Sequence, residues 1–197
     1  MEGFTMIYDF YTDIEKEVLI NFATNTTVGL SGIKEINRLF LEVKEHVFYE
    51  NSIKLQKASE TQVLGGGNNF SKNILLYALL KICGYHCDLK YYYVKDATGK
   101  ICGKGLKAYP WFFVTVDFCG TTIRLDSSFN KEHMKAMEIT YVGDCLDFKP
   151  ENYVINKKPV FEKYSEIEEV KDLKVIELLK TAGSYEVFSR ERGISYV

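Results

Sequence analysis

From Ile74 to Cys83 every residue but Lys81 is apolar, and the run begins just behind the glycine-rich stretch Gly65-Gly66-Gly67-Asn68-Asn69. A helix with apolar residues on nearly every side must sit inside the protein, with other elements packed all round it. Gly84 follows the run, the residue that most readily ends a helix. The chain is therefore expected to wrap its remaining elements around a central helix over Asn69–Cys83.

The flanking sequence supplies those elements. Met6–Phe22 carries Ile7, Phe10, Ile14, Val18 and Phe22 at three- and four-residue spacing, which predicts a helix over part of it. Thr24–Gly32 reads as a loop. Ser31–Tyr49 predicts a second helix, with Ser31 as its cap, Ile33, Ile36, Leu39, Phe40, Val43, Val47 and Phe48 on one stripe, and Lys34, Glu35, Lys44 and Glu45 on the other face. Ser59–Asn69 reads as a polar loop. After the buried helix the texture changes to strands: Asp88–Val94, Trp111–Phe118, a tight turn at Cys119-Gly120-Thr121, and Thr122–Asp126 returning as a hairpin. Lys95–Lys107 is a charged loop, and Ile139–Val142 reads as another strand. Ser165–Ala182 predicts an outer amphipathic helix. Helices followed by an antiparallel meander make an α+β layout, not an alternating βαβ one. No internal repeat or linker divides the chain, so residues 1–197 are expected to form one domain.

Composition narrows the function. With 46% hydrophobic residues the chain can bury a core. The 25 Lys and Arg against 27 Asp and Glu leave a formal charge of -2. That gives no field for collecting nucleic acid or an anionic membrane surface. Five cysteines, an odd number, read as reduced thiols and not as a disulfide framework, which together with the lack of a signal-like start suggests a cytoplasmic setting. Cys83-Gly84-Tyr85-His86-Cys87 has metal-ligating residue types, but no second ligand pair follows at usable spacing. Gly65-Gly66-Gly67 could cradle an anion yet lacks the Lys-Ser/Thr ending of a phosphate loop. No cofactor or metal is expected.

Three blocks together resemble the transglutaminase-like superfamily, whose fold is that of papain-like cysteine proteases. They are Lys57–Thr61, then Gly67-Asn68-Asn69-Phe70-Ser71-Lys72 running into the apolar helix and Gly84, and Tyr109-Pro110-Trp111 with the hairpin and Leu125-Asp126-Ser127-Ser128. The resemblance spans about Ile33–Phe129. It implies a nucleophilic cysteine at the start of the buried helix, a histidine base on the neighbouring strand and an aspartate on the next. At these positions the chain has Asn69, Tyr109 and Asp126. A carboxamide is no nucleophile for acyl transfer, and a phenol of pKa near 10 is a poor base at neutral pH. Ser71 lies two positions past Asn69 and, at about 100° per residue, turns away from it. His46, His86 and His133 match no family position.

The resemblance thus implies the scaffold without its catalytic pair. Its expected role is to bind a peptide or protein through a retained cleft at Asn68, Asn69, Tyr109, Trp111 and Asp126. Plainer roles compete at each position. Asn68 and Asn69 could simply cap the helix. Asp126 could accept a hydrogen bond from Tyr109 as a relic of the triad. Trp111–Phe113 and Tyr91–Tyr93 could be core, their alternate side chains covered on both faces of the sheet. An amide hydrolase with displaced residues and a structural or oligomer-forming protein are the other readings, and the oligomeric state is left open.

Overall fold

The computed structural model describes residues 7–51, 54–101, 108–163 and 168–169. In chain order the elements are α1 (Ile7–Thr12), α2 (Glu17–Thr27), α3 (Ile33–His46), β1 (Phe48–Tyr49), α4 (Ala58–Leu64), β2 (Gly66–Gly67) and α5 (Asn69–Ile82). Then come β3 (Cys87–Asp96), β4 (Tyr109–Phe118), β5 (Thr121–Leu125), α6 (Lys131–Ala136), β6 (Thr140–Tyr141), β7 (Tyr153–Ile155), β8 (Lys158–Pro159), β9 (Phe161–Lys163) and β10 (Glu168–Glu169). The main sheet runs β10-β3-β4-β5, with β9 also pairing β3, and all its pairs are antiparallel. This is the α+β arrangement expected from the sequence. Among the described residues no helix is long and apolar enough to cross a membrane.

The two faces of the sheet carry two cores. Strand residues alternate sides, so Leu89, Tyr91, Phe112, Val114 and Val116 meet α5 and the stripes of α2 and α3 in one cluster. Tyr92, Val94, Tyr109, Trp111 and Phe113 meet Phe129, Phe148, Tyr153 and Phe161 in the other. Aromatic side chains thus fill both layers, and Trp111, Tyr91 and Phe113 are fully buried. The central helix is as buried as its composition requires, with Ile74, Leu75, Leu76, Leu79 and Leu80 out of solvent.

Several local expectations are corrected. The helix expected within Met6–Phe22 is two helices, broken at Asp13, whose φ is 30°. The second, α2, runs on through Thr27, in part of the stretch read as loop; Thr27 Oγ1 donates back to Ala23 O at 2.9 Å. Ser31 does not cap α3. Gly32 holds that position without a side-chain cap, pressed against the Phe118 ring and held by the Tyr85 hydroxyl, which donates to Gly32 O at 3.1 Å. That helix stops at His46, and Phe48–Tyr49 forms β1, parallel to β2. The stretch from Ser59, read as loop, is mostly α4, which is too short to show a hydrophobic period. It starts where Glu60 accepts from Lys57 N–H at 3.2 Å and Asp13 accepts from Ser59 N–H at 3.1 Å. Of the helix expected at Ser165–Ala182, Glu168–Glu169 is a strand on the edge of β3, and the rest lies outside the described residues.

Gly67 shows why the glycines precede α5. A Cβ there would lie 2.9 Å from Ser71 Cβ and 3.1 Å from both Gln56 Oε1 and Thr61 Cγ2. Only glycine lets β2 pass this close to the helix start.

Candidate functional site

The start of α5 points its polar side chains at the place where the sheet comes apart. The β4–β5 ladder ends at the pair Val114–Leu125. Two residues back along β4, Phe112 still pairs with Tyr91 on β3 but has no partner on the β5 side, because the chain leaves the sheet at Asp126. Asn69 takes the partner's place. Its Oδ1 accepts from Phe112 N–H at 2.7 Å and its Nδ2 donates to Phe112 O at 2.8 Å. The carboxamide reproduces the donor and acceptor of a neighbouring strand, which a cysteine thiol could not do. Asn69 Nδ2 also donates to Ser128 Oγ at 2.7 Å.

Asn73, one turn on and on the same face, does the equivalent for the departing chain. Its Oδ1 accepts from both Ser127 N–H and Ser127 Oγ at 3.1 Å. Its Nδ2 reaches Phe112 O at 3.0 Å and Asp126 Oδ1 at 3.2 Å. Asp126 is the hub of this cluster. Oδ1 accepts from Asn73, from Ser128 N–H at 3.0 Å and from Ser128 Oγ. Oδ2 accepts from Trp111 Nε1 and from the Tyr153 hydroxyl, each at 2.9 Å. Burial and the Asp126 carboxylate raise the Tyr153 phenol well above its ordinary pKa, so it stays a donor.

The five residues expected to line a cleft are placed as follows. Asn68, not Asn69, is the helix cap: its Oδ1 accepts from Ser71 N–H at 2.9 Å. Asn69, Trp111 and Asp126 converge in one network, but inside the protein, at 7%, 1% and 2% exposure. Tyr109 is also buried, with its ring edge-on to Trp111 and Phe161 in the second core. The phenol that donates to Asp126 is that of Tyr153, in place of the Tyr109 partner expected from the sequence. Ser71 turns away from the cluster, as its helical angle requires, and accepts from Gln56 N–H at 3.1 Å. Lys72, Ser127 and Ser128 stand in the blocks that carry the resemblance, with no role expected of them. Lys44, expected on the polar face of its helix, is buried, and Phe48, expected on the apolar stripe, is exposed in β1. Asn73 and Tyr153 carry no expectation, although Asn73 is a polar residue four positions after Asn69 at the head of an apolar run.

The described thiols lie away from this cluster or at its edge. Cys87 is buried, and desolvation pushes its thiol up to about 12. Cys83 is raised by burial and by the charge of Glu35. Cys119 and Cys145 are exposed. His86 pairs with Asp117 on the surface, Nδ1 to Oδ2 at 2.9 Å. Among the described residues no group of three His, Cys, Asp or Glu side chains is placed to hold a metal ion.

No family model matches the chain, and no curated protein matches it by sequence. Solved structures do match by shape. A candidate cysteine protease from Cytophaga hutchinsonii aligns over 82% of this chain with a TM-score of 0.51 at 12% identity. The fold resembles that of a cysteine protease. The alignment takes in 50% of the Cytophaga protein, so the chain spans about half its length. A candidate protease from Parabacteroides distasonis aligns over 64% of this chain and 30% of its own, with a TM-score of 0.39 at 11% identity.

Proposed function

We propose that the chain is a non-catalytic protein on a cysteine-protease fold, acting by binding a peptide or protein. The observation that carries this reading is Asn69. At the position where the resembled enzymes would need a thiolate, a carboxamide is bonded on both sides to Phe112 and shut away from solvent. Because the cleft-facing groups are bonded to one another, a ligand is better served by apolar side chains left outside. Val63 and Leu64 on α4 are 72% and 61% exposed beside an open groove shared with Val18, Lys16 and Lys54. Assays with a panel of amide and ester substrates should give no turnover above buffer. Turnover by the unmodified chain would overturn the reading. Selection from a random-peptide display library should enrich binders that Leu64→Glu weakens at least about tenfold, the loss of one buried apolar anchor.

One observation favours the rival reading, an amide hydrolase with a displaced nucleophile. Cys145 lines a small cavity together with Lys44 and Asp126. Iodoacetamide labelling followed by peptide mapping separates the two. On the non-catalytic reading Cys145 and Cys119 alkylate at the rate of an ordinary thiol. Cys87 lags far behind, since it is buried and desolvation pushes its thiol up. Cys145 reacting much faster than Cys119 would favour the enzyme.

A further inference from the structure

Behind the asparagine cluster two lysines are buried side by side. Lys72, on α5, is fully buried, and Lys44, near the end of α3, is 9% exposed. Lys72 Nζ donates to Lys44 O at 3.1 Å and to Val47 O at 2.5 Å, so it caps the carboxyl end of α3. Lys44 Nζ donates to Asp126 O at 3.2 Å. The two amines thus tie α3, α5 and the chain after β5 together. Their other titratable surroundings are sparse. Asp126 supplies a carboxylate that already accepts from Asn73, Ser128, Trp111 and Tyr153. Glu45 on α3 is the other acid acting on both, and it accepts from Lys131 N–H at 3.0 Å. His133 on α6 lies within electrostatic reach of Lys72, and Cys145 of Lys44. Tyr141 and Tyr153 line the same cavity as Lys44 and Asp126.

Hydrogen counting, burial and the neighbouring Lys44 together bear on the charge of Lys72. A neutral amine has two hydrogens, and two carbonyls receive them. The third hydrogen of an ammonium finds no acceptor among the described residues, and the second buried cation, Lys44, repels it. We propose that Lys72 and Lys44 form a pH-sensitive latch: with Lys72 neutral the end of α3 is held to α5, and protonation of Lys72 in mildly acidic conditions loosens that hold. The cavity of about 10 Å³ lined by Lys44, Asp126, Tyr141, Cys145 and Tyr153 is about the size of one water and lies against Lys44. Consistent with this, burial and the Lys44 charge lower Lys72 to about 7, and burial lowers Lys44 in the same direction.

The sign of the effect follows from proton counting. Between about 7 and the ordinary lysine value near 10.4, the unfolded chain binds a proton at Lys72 that the folded chain does not. Stability therefore rises with pH across that window and is lowest below it. The folding equilibrium constant should grow by up to about tenfold per pH unit. His133, lowered by burial and Lys72, acts in the same direction but only below about 6.5, which separates its contribution. The test is NMR of the intact chain carrying lysine labelled with carbon-13 at Cε, with the Lys72 signal assigned by its loss in Lys72→Met. A Lys72 midpoint below about 9 is expected, and one near the ordinary lysine value overturns the proposal. Denaturant titrations from pH 6 to pH 9 supply the second arm. Lys72→Met should flatten the rise, and the same pH dependence in Lys72→Met as in the unmodified chain overturns the proposal. If Lys72→Met fails to fold, Lys72→Arg supplies the missing signal, and the titration of the unmodified chain decides alone.

Discussion

Asp126→Asn should cost about 3–5 kcal/mol of stability, read as a drop in the denaturation midpoint. The carboxylate is the acceptor for Trp111 Nε1, the Tyr153 hydroxyl, Ser128 N–H, Ser128 Oγ and Asn73 Nδ2. An amide of the same shape turns one of its two acceptor oxygens into a donor. Whichever way it is flipped, at least one buried donor then faces another donor, and each unsatisfied group costs about 1–3 kcal/mol. The substitution also removes negative charge beside Lys44 and Lys72. Below about pH 7, where Lys72 carries its proton, part of the loss should therefore return in the double variant Asp126→Asn with Lys72→Met, because neighbours in one network do not add. A loss below about 1 kcal/mol would mean that the network is not what holds the sheet end to α5.

Asn69→Cys is the second large effect, and it bears on both stability and chemistry. It places a cysteine where the sequence resemblance implies the nucleophile. On the non-catalytic reading it should give no turnover, since the position where the resemblance implies the base holds Tyr109, packed edge-on to Trp111 and Phe161 in the second core. It should also cost about 2–4 kcal/mol, since a thiol cannot satisfy both Phe112 N–H and Phe112 O. Asn73 still reaches Phe112 O, so the unmet N–H dominates the loss. Asn69→Asp keeps the acceptor and loses the donor, which sets a carboxylate oxygen against Phe112 O. It should be no milder than the cysteine variant. Full stability in Asn69→Cys would contradict the strand-replacing role of the carboxamide, and hydrolysis by it would contradict the non-catalytic reading.

These two residues close the gap between β4 and the chain leaving β5. Their polar groups are spent on one another, and burial fixes them.

The pattern of apolar residues determined the central helix, the antiparallel hairpin and the α+β class, because burial in water is decided by which residues repeat at which spacing. The α3 stripe and the alternation in β3 and β4 were equally legible, and so was the turn of Ser71 away from Asn69, a matter of helical angle alone. Short elements were not. The helix α4 is too brief to show a period, and it exists because Asp13, distant in sequence, supplies a partner for its first turn. The start of α3 shifted for a similar reason: Gly32 O accepts from the Tyr85 hydroxyl, distant in sequence, and a Cβ on Gly32 would crowd the Phe118 ring. The motif positions could be read as a missing nucleophile and a missing base. What stands there instead could not, because a hydrogen bond such as Asn69 to Phe112 or Tyr153 to Asp126 joins residues many positions apart and leaves no local signature. Lys72 is the clearest case. The sequence shows one more lysine near a helix start, and only the packing of α3 against α5 removes its water and gives it two carbonyls in exchange.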